Sequence, residues 1–147
     1  MPGILVAGIG NIFLGDDGFG SEVVRRLPDL GPGVRVVDYG IRGVHLAYDL
    51  LDGVDELILI DAIPNRGAPG TVHVLNPEAG IGTSFDAHAM DPATVFASLK
   101  ALGGELPPTI VVGCEAENVD EGMGLSPVVA ASVDIATDIV TRLTKAG

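Results

Sequence analysis

The chain has 147 residues, 47% of them apolar, and a formal net charge of −12 with only 8 Lys and Arg. That is enough for a single domain with a real core, spanning residues 1–147, and too little for two ordinary domains. So few cations exclude nucleic acid and an anionic membrane surface as partners, because phosphate contacts need clustered Lys and Arg.

One cysteine, Cys114, cannot close an internal disulfide or build a Cys-rich metal site. The N-terminal stretch MPGILVAGIG lacks the basic segment and long apolar core of a signal peptide, and no run is long enough to span a membrane. A cytoplasmic protein is the expectation.

In chain order, the apolar run ILVAG (4–8) predicts a strand buried on both faces. A glycine-rich turn with two adjacent aspartates, Asp16 and Asp17, follows it. A helix comes next, with Phe19, Val23 and Leu27 on one stripe and Pro28 marking its end. VRVVDYG (34–40) predicts a second strand, GVHLAYDLL (43–51) a helix, and ELILIDAI (56–63) a third strand. TVHVL (71–75), short and flanked by Gly70 and Pro77, predicts an edge strand, with His73 facing out between Val72 and Val74. Nothing periodic appears over 76–90, and in a small domain such a stretch is more often functional than accidental. Asp91 and Pro92 suit the start of a further helix, TIVVG (109–113) a fifth strand, and Ser126 and Pro127 the cap and first turn of a single last helix. Val129, Val133, Ala136, Val140 and Leu143 line its apolar seam.

This alternation implies an α/β fold: one domain, a twisted, mostly parallel five-stranded sheet with helices on both faces. In such sheets ligands bind at the carboxyl ends of the strands. Asp16 and Asp17 lie just past the first strand, Asp61 closes the apolar run LILID of the third, and His88 sits in the aperiodic stretch. The glycine turn is not a dinucleotide fingerprint, since Phe13 occupies the third glycine position, and it lacks the Lys of a phosphate-binding loop. Carboxylates at a strand mouth suit a cation, and two carboxylates with one imidazole suit a borderline divalent ion such as nickel, zinc, cobalt or manganese. Three protein ligands leave coordination positions for water or substrate. Helix capping by Asp16 and Asp17, a solvated loop position for His88, and packing for Cys114 are the plainer readings of the same residues. His45 falls in a helix first turn as a surface residue. No serine lies in a G-x-S-x-G elbow.

Three segments, ILVAGIGNIFLGDDGFG, DYGIRGVHLAYDLLDGVDELILIDAI and VGCEAENVDEGMGLSPVVAASV, with His88 between the second and third, resemble the endopeptidases that mature nickel-iron hydrogenases. The likeness runs over nearly the whole chain, in order. It implies an endopeptidase that removes the C-terminal extension of the hydrogenase large-subunit precursor after nickel insertion and uses that nickel to recognise its substrate. Carried onto this sequence, it implies Asp17, Asp61 and His88 as metal ligands and catalytic residues. Nickel then comes with the substrate, another divalent ion such as zinc is the alternative in isolation, and the protein works as a monomer. Three other readings are a metal-dependent hydrolase of small substrates, a non-enzymatic binding domain with a degenerate glycine loop, and metal delivery to an apo-hydrogenase without proteolysis. Gly40 and Gly43 offer the substrate tail a close backbone approach, or simply make a strand-to-helix turn.

Overall fold

Short apolar runs bounded by glycine or proline become strands in the computed structural model, which describes residues 3–76 and 92–146. The elements are β1 (Ile4–Ile9), a tight helical turn (Gly15–Gly18), α1 (Phe19–Arg26), β2 (Val34–Gly40), α2 (Gly43–Leu51), β3 (Glu56–Ile63), β4 (Val72–Leu75), α3 (Pro92–Ala101), β5 (Thr109–Glu115), α4 (Pro127–Ala130) and α5 (Val133–Ala146). His88 and the expected cap Asp91 lie outside the described residues.

The sheet order is β2-β1-β3-β5-β4. β1 pairs parallel with β2 and β3, and β3 pairs parallel with β5. β4 runs antiparallel against β5 at the edge, as its shortness and flanking turn residues predict. The five strands, mostly parallel, and the helices on both faces are the architecture read from the sequence. Leu57 and Leu59 on β3 join a core layer with Leu46 and Leu50 of α2 and Val95 and Leu99 of α3. Ile58 and Ile60, their alternates, join the opposite layer with Phe19 and Val23 of α1 and Val133, Ala136 and Val140 of α5. Burying each such side chain contributes about 1.5–3 kcal/mol before entropy.

Sheet order and handedness together open one crevice. The β1–α1–β2 connection leaves β1 in one direction, and the β2–α2–β3 connection crosses back to its other side. Right-handed crossovers then force α1 and α2 onto opposite faces, so their loops diverge between the carboxyl ends of β1 and β3.

Two elements depart from expectation by more than one residue. β5 runs two residues beyond 113, to Glu115, because Cys114 and Glu115 find partners in Ala62, Ile63 and Val72 on both flanking strands. The last helix is two helices. Ser132 turns its hydroxyl to the carbonyls of Gly70 and Val128, and its own N–H bonds back only to Val129, tightening the ladder and breaking the rod. The seam survives the break: Val129, Val133, Ala136 and Val140 are all fully buried.

α1 packs on the strands through Gly20. A Cβ there would stand 2.3 Å from the Ile60 carbonyl oxygen and 2.5 Å from that of Ile9, both backbone atoms that cannot yield cheaply. Gly20→Ala is therefore expected to lower stability by about 1–3 kcal/mol, measured by urea unfolding; an unchanged midpoint would show that α1 can shift without cost.

Candidate active site

The turn after β1 is shaped by contacts that only glycine permits. Gly10 has φ +134°, and a Cβ on it would lie 2.0 Å from the Asp17 carbonyl oxygen. With that approach open, the Asn11 N–H donates to Asp17 Oδ2 at 2.8 Å, while Asn11 Oδ1 accepts from Phe13 N–H at 2.9 Å. The Gly10 N–H donates to the Gly40 carbonyl at 2.9 Å, tying the turn to the end of β2. Gly40 has φ +55° and Gly43 is buried at the start of α2, so both serve the strand-to-helix turn.

The two adjacent aspartates have different surroundings. Asp16 is fully buried. Its Oδ2 accepts from the N–H groups of Glu117 and Asn118 and from Ser126 Oγ, and its Oδ1 from Ser126 N–H, at 2.6–2.9 Å. Burial pushes its pKa up, but hydrogen bonds from Ser126, Asn118 and Glu117 outweigh this and hold it below the usual carboxylate value. Asp17 is half-buried and addresses the end of β1 through Asn11. Asp16 spends its carboxylate on residues 117–126 rather than on capping its own helical turn. Ser126 sits at the cap position of α4 with Pro127 behind it, yet its hydroxyl goes to Asp16 rather than to an N–H of that helix.

Asp61 lies one residue past the last β1–β3 pair, Gly8 with Ile60, and pairs with Gly113 on the other side. Only 3% of it is exposed. By alternation its side chain shares the α2–α3 face with Leu57 and Leu59. A carboxylate buried two residues before the end of β3 stands out against the apolar run around it, which marks it as a functional candidate. Asp17 lies in the turn that follows β1, and Asp61 lies near the end of β3, the parallel neighbour of β1. His88 lies outside the described residues, and among those residues no three His, Cys, Asp or Glu side chains gather as a metal-holding set.

A family model for hydrogenase maturation proteases matches residues 22–143. The chain belongs to the hydrogenase maturation protease family. A relative from Methanocaldococcus jannaschii, named for hydrogenase maturation protease activity, is 36% identical over 93% of each chain. The hydrogenase 2 maturation protease of Escherichia coli is 34% identical, covering 93% of this chain and 87% of its own. The solved hydrogenase maturating endopeptidase HybD from E. coli superposes with a TM-score of 0.79 at 31% identity, covering 99% of this chain and 94% of that one. The chain is accordingly a hydrolase of the protease class, and the reading as a non-enzymatic binding domain falls. Among the described residues no helix is long and apolar enough to cross a membrane.

Beside the Asp17 turn, on its α1 flank, runs a groove of about 380 Å³ walled by Ile12, Ser21, Arg25, Asp38 and Met123. Asp38 Oδ1 accepts from Ser21 Oγ at 2.7 Å and from Gly40 N–H at 3.0 Å, joining α1 to the end of β2. Sequence reading passed over Asp38, because a single acidic residue near the end of an apolar strand carries no pattern of its own.

The other carboxylate missed in the sequence, Glu115, is buried. Its Oε1 accepts from the N–H groups of Arg66 and Ala68 at 2.6 and 3.2 Å, and its Oε2 meets His73 Nε2 at 2.7 Å. His73 therefore does not simply face solvent from an edge strand; it is half-buried and paired. The His73 contact, with the two N–H donors, holds the Glu115 carboxyl below its ordinary value despite burial. Cys114 packs in the core, where burial pushes its thiol up to about 11. His45 is exposed in the first turn of α2, as expected. Because the Glu115 pKa falls on folding, its stabilising contribution is complete above the usual carboxylate range and disappears as pH falls through the lowered value. In urea titrations the stability gap between wild type and Glu115→Gln is expected to be constant near neutrality and to shrink below about pH 4. A gap independent of pH would show that the carboxylate is not charged in the fold.

Proposed function

We propose that this protein is the endopeptidase that removes the C-terminal extension from a nickel-loaded large-subunit precursor of a nickel-iron hydrogenase. Asp17, Asp61 and His88 grip the precursor's nickel and so bring the scissile bond to the crevice. What supports this reading is membership of this family together with a strand order that puts the turn bearing Asp17 after β1 and Asp61 near the end of the neighbouring β3. Two oxygen donors and one imidazole suit nickel while leaving coordination positions to the precursor's own ligands.

Hydrolysis adds water across the amide, with hydroxide going to the carbonyl carbon and a proton to the leaving nitrogen. Nickel, as the precursor's cargo, polarises the carbonyl or the attacking water. The chain supplies position: the Asn11 N–H bond holds Asp17, and pairing with Gly113 of β5 holds Asp61. Holding the bond beside the ion converts an encounter into an intramolecular step, which supplies a large part of the rate. One carboxylate of the pair takes the proton of the attacking water. The groove beside Ile12 and Met123 gives the extension a path away from the site. The protein works as a cytoplasmic monomer and holds little metal without substrate; zinc is the ion it takes up when only free metal is offered.

The experiment incubates the protein with nickel-loaded, unprocessed large subunit and follows release of the extension by gel and mass spectrometry. Asp17→Asn and His88→Ala are each expected to slow cleavage on the order of 100-fold, as deletion of one active-site electrostatic contact does. Precursor without nickel should remain whole. Wild-type rates in both variants would remove the assigned site. Firmly bound stoichiometric metal in the protein purified alone would favour a hydrolase of small substrates.

A further inference from the structure

We infer that Asp16, which touches neither nickel nor peptide in the proposed reaction, is a positioning residue that sets the orientation of Asp17; the inference rests on the site proposed above. Adjacent residues of one tight turn carry the two carboxylates, so a force on one is transmitted directly to the other. Asp17 is gripped on the β1 side by Asn11 N–H, and its own N–H donates to the Leu14 carbonyl at 3.1 Å. The opposite side of the turn is held by the segment between β5 and α4, and Asp16 makes that grip. Its side chain gathers Glu117, Asn118 and Ser126, while its N–H donates to the Asn118 carbonyl at 2.9 Å. Gly15 N–H to the Gly122 carbonyl and Gly122 N–H to the Phe13 carbonyl, both 2.9 Å, complete the seam.

The chemistry of the four contacts requires a carboxylate. Three are N–H donors that cannot turn round, and the fourth is the Ser126 hydroxyl. An ionised Asp presents acceptors only, whereas an Asn in either orientation would set its NH2 against at least one backbone N–H. The turn must then withdraw from the 117–126 segment, and Asp17 moves with it. Residues that orient a metal-directed ligand from behind carry rate without touching the ion, and losing one costs roughly 10–100-fold.

The test uses the full chain, nickel-loaded precursor and the variants Asp16→Asn, Ser126→Ala and Ser126→Thr, with Asp17→Asn as reference. Thermal unfolding first establishes that each variant is folded at the assay temperature. Asp16→Asn is expected to lower kcat about 10–100-fold with KM within about twofold of wild type. Ser126→Ala, which removes only the hydroxyl contact, lowers kcat by a smaller factor, and Ser126→Thr, which keeps a hydroxyl, restores it. A clamp serving the fold alone would lower the unfolding midpoint and leave the turnover of folded protein unchanged. Slow cleavage by Asp17→Asn with wild-type kcat in folded Asp16→Asn overturns the positioning role and leaves the site standing. Should Asp16→Asn not fold, wild-type kcat in Ser126→Ala overturns it equally. Wild-type kcat in Asp17→Asn overturns the site and this inference together.

Discussion

The handedness of the crossovers out of β1 and into β3 governs everything else about this molecule. A right-handed connection that leaves β1 on one side and returns to its other side must place α1 and α2 on opposite faces of the sheet. No local sequence choice is needed to open a gap between the ends of these two strands; the gap is what remains when the loops diverge. The turn that carries Asp17 follows β1 and Asp61 lies near the end of β3, the two strands that flank this gap, although 44 positions separate the two residues in the chain.

Around that gap, irregular backbone is held by buried charge more than by apolar packing. Asp16 gathers the segment leading into α4, and Glu115 gathers the loop after β3 together with β4. Loops cannot bury apolar faces as helices do, so their N–H groups need acceptors, and a carboxylate offers several lone pairs from a single side chain. The arrangement is asymmetric in energy. A buried carboxylate with its donors contributes modestly, while donors deprived of it bear their full desolvation cost, about 1–3 kcal/mol each. Both carboxylates thus exert their influence chiefly through what their absence would leave exposed to nothing.

Much of this was legible in the chain. Every strand was visible because apolar runs such as ILVAG and ELILIDAI are punctuated by Gly or Pro, and the parallel order followed from their alternation with helices. Asp61 was visible because charge interrupts a run that is otherwise entirely apolar. The division of labour between Asp16 and Asp17 was not, because it depends on where residues 117–126 return in space, about a hundred positions later. The split between α4 and α5 was hidden for a related reason: Ser132 is an ordinary helix residue until the Gly70 carbonyl, far away in sequence, arrives beside it. Glu115 read as the acidic flank of a strand, and His73 as its solvent face, because neither residue signals a cross-strand partner to a one-dimensional reading.

The core position of Cys114 gives the molecule a built-in reporter. Its sulfur is sealed between β5 and the helices of one face, and a thiol held near pH 11 offers almost no thiolate to an alkylating reagent at neutrality. Reagent can therefore reach it only through excursions that part the sheet from its helical cover, so the rate of labelling counts those openings directly. Mobility at the outer turns leaves that clock untouched, which separates breathing of the scaffold from rearrangement around the crevice without adding any label to the chain.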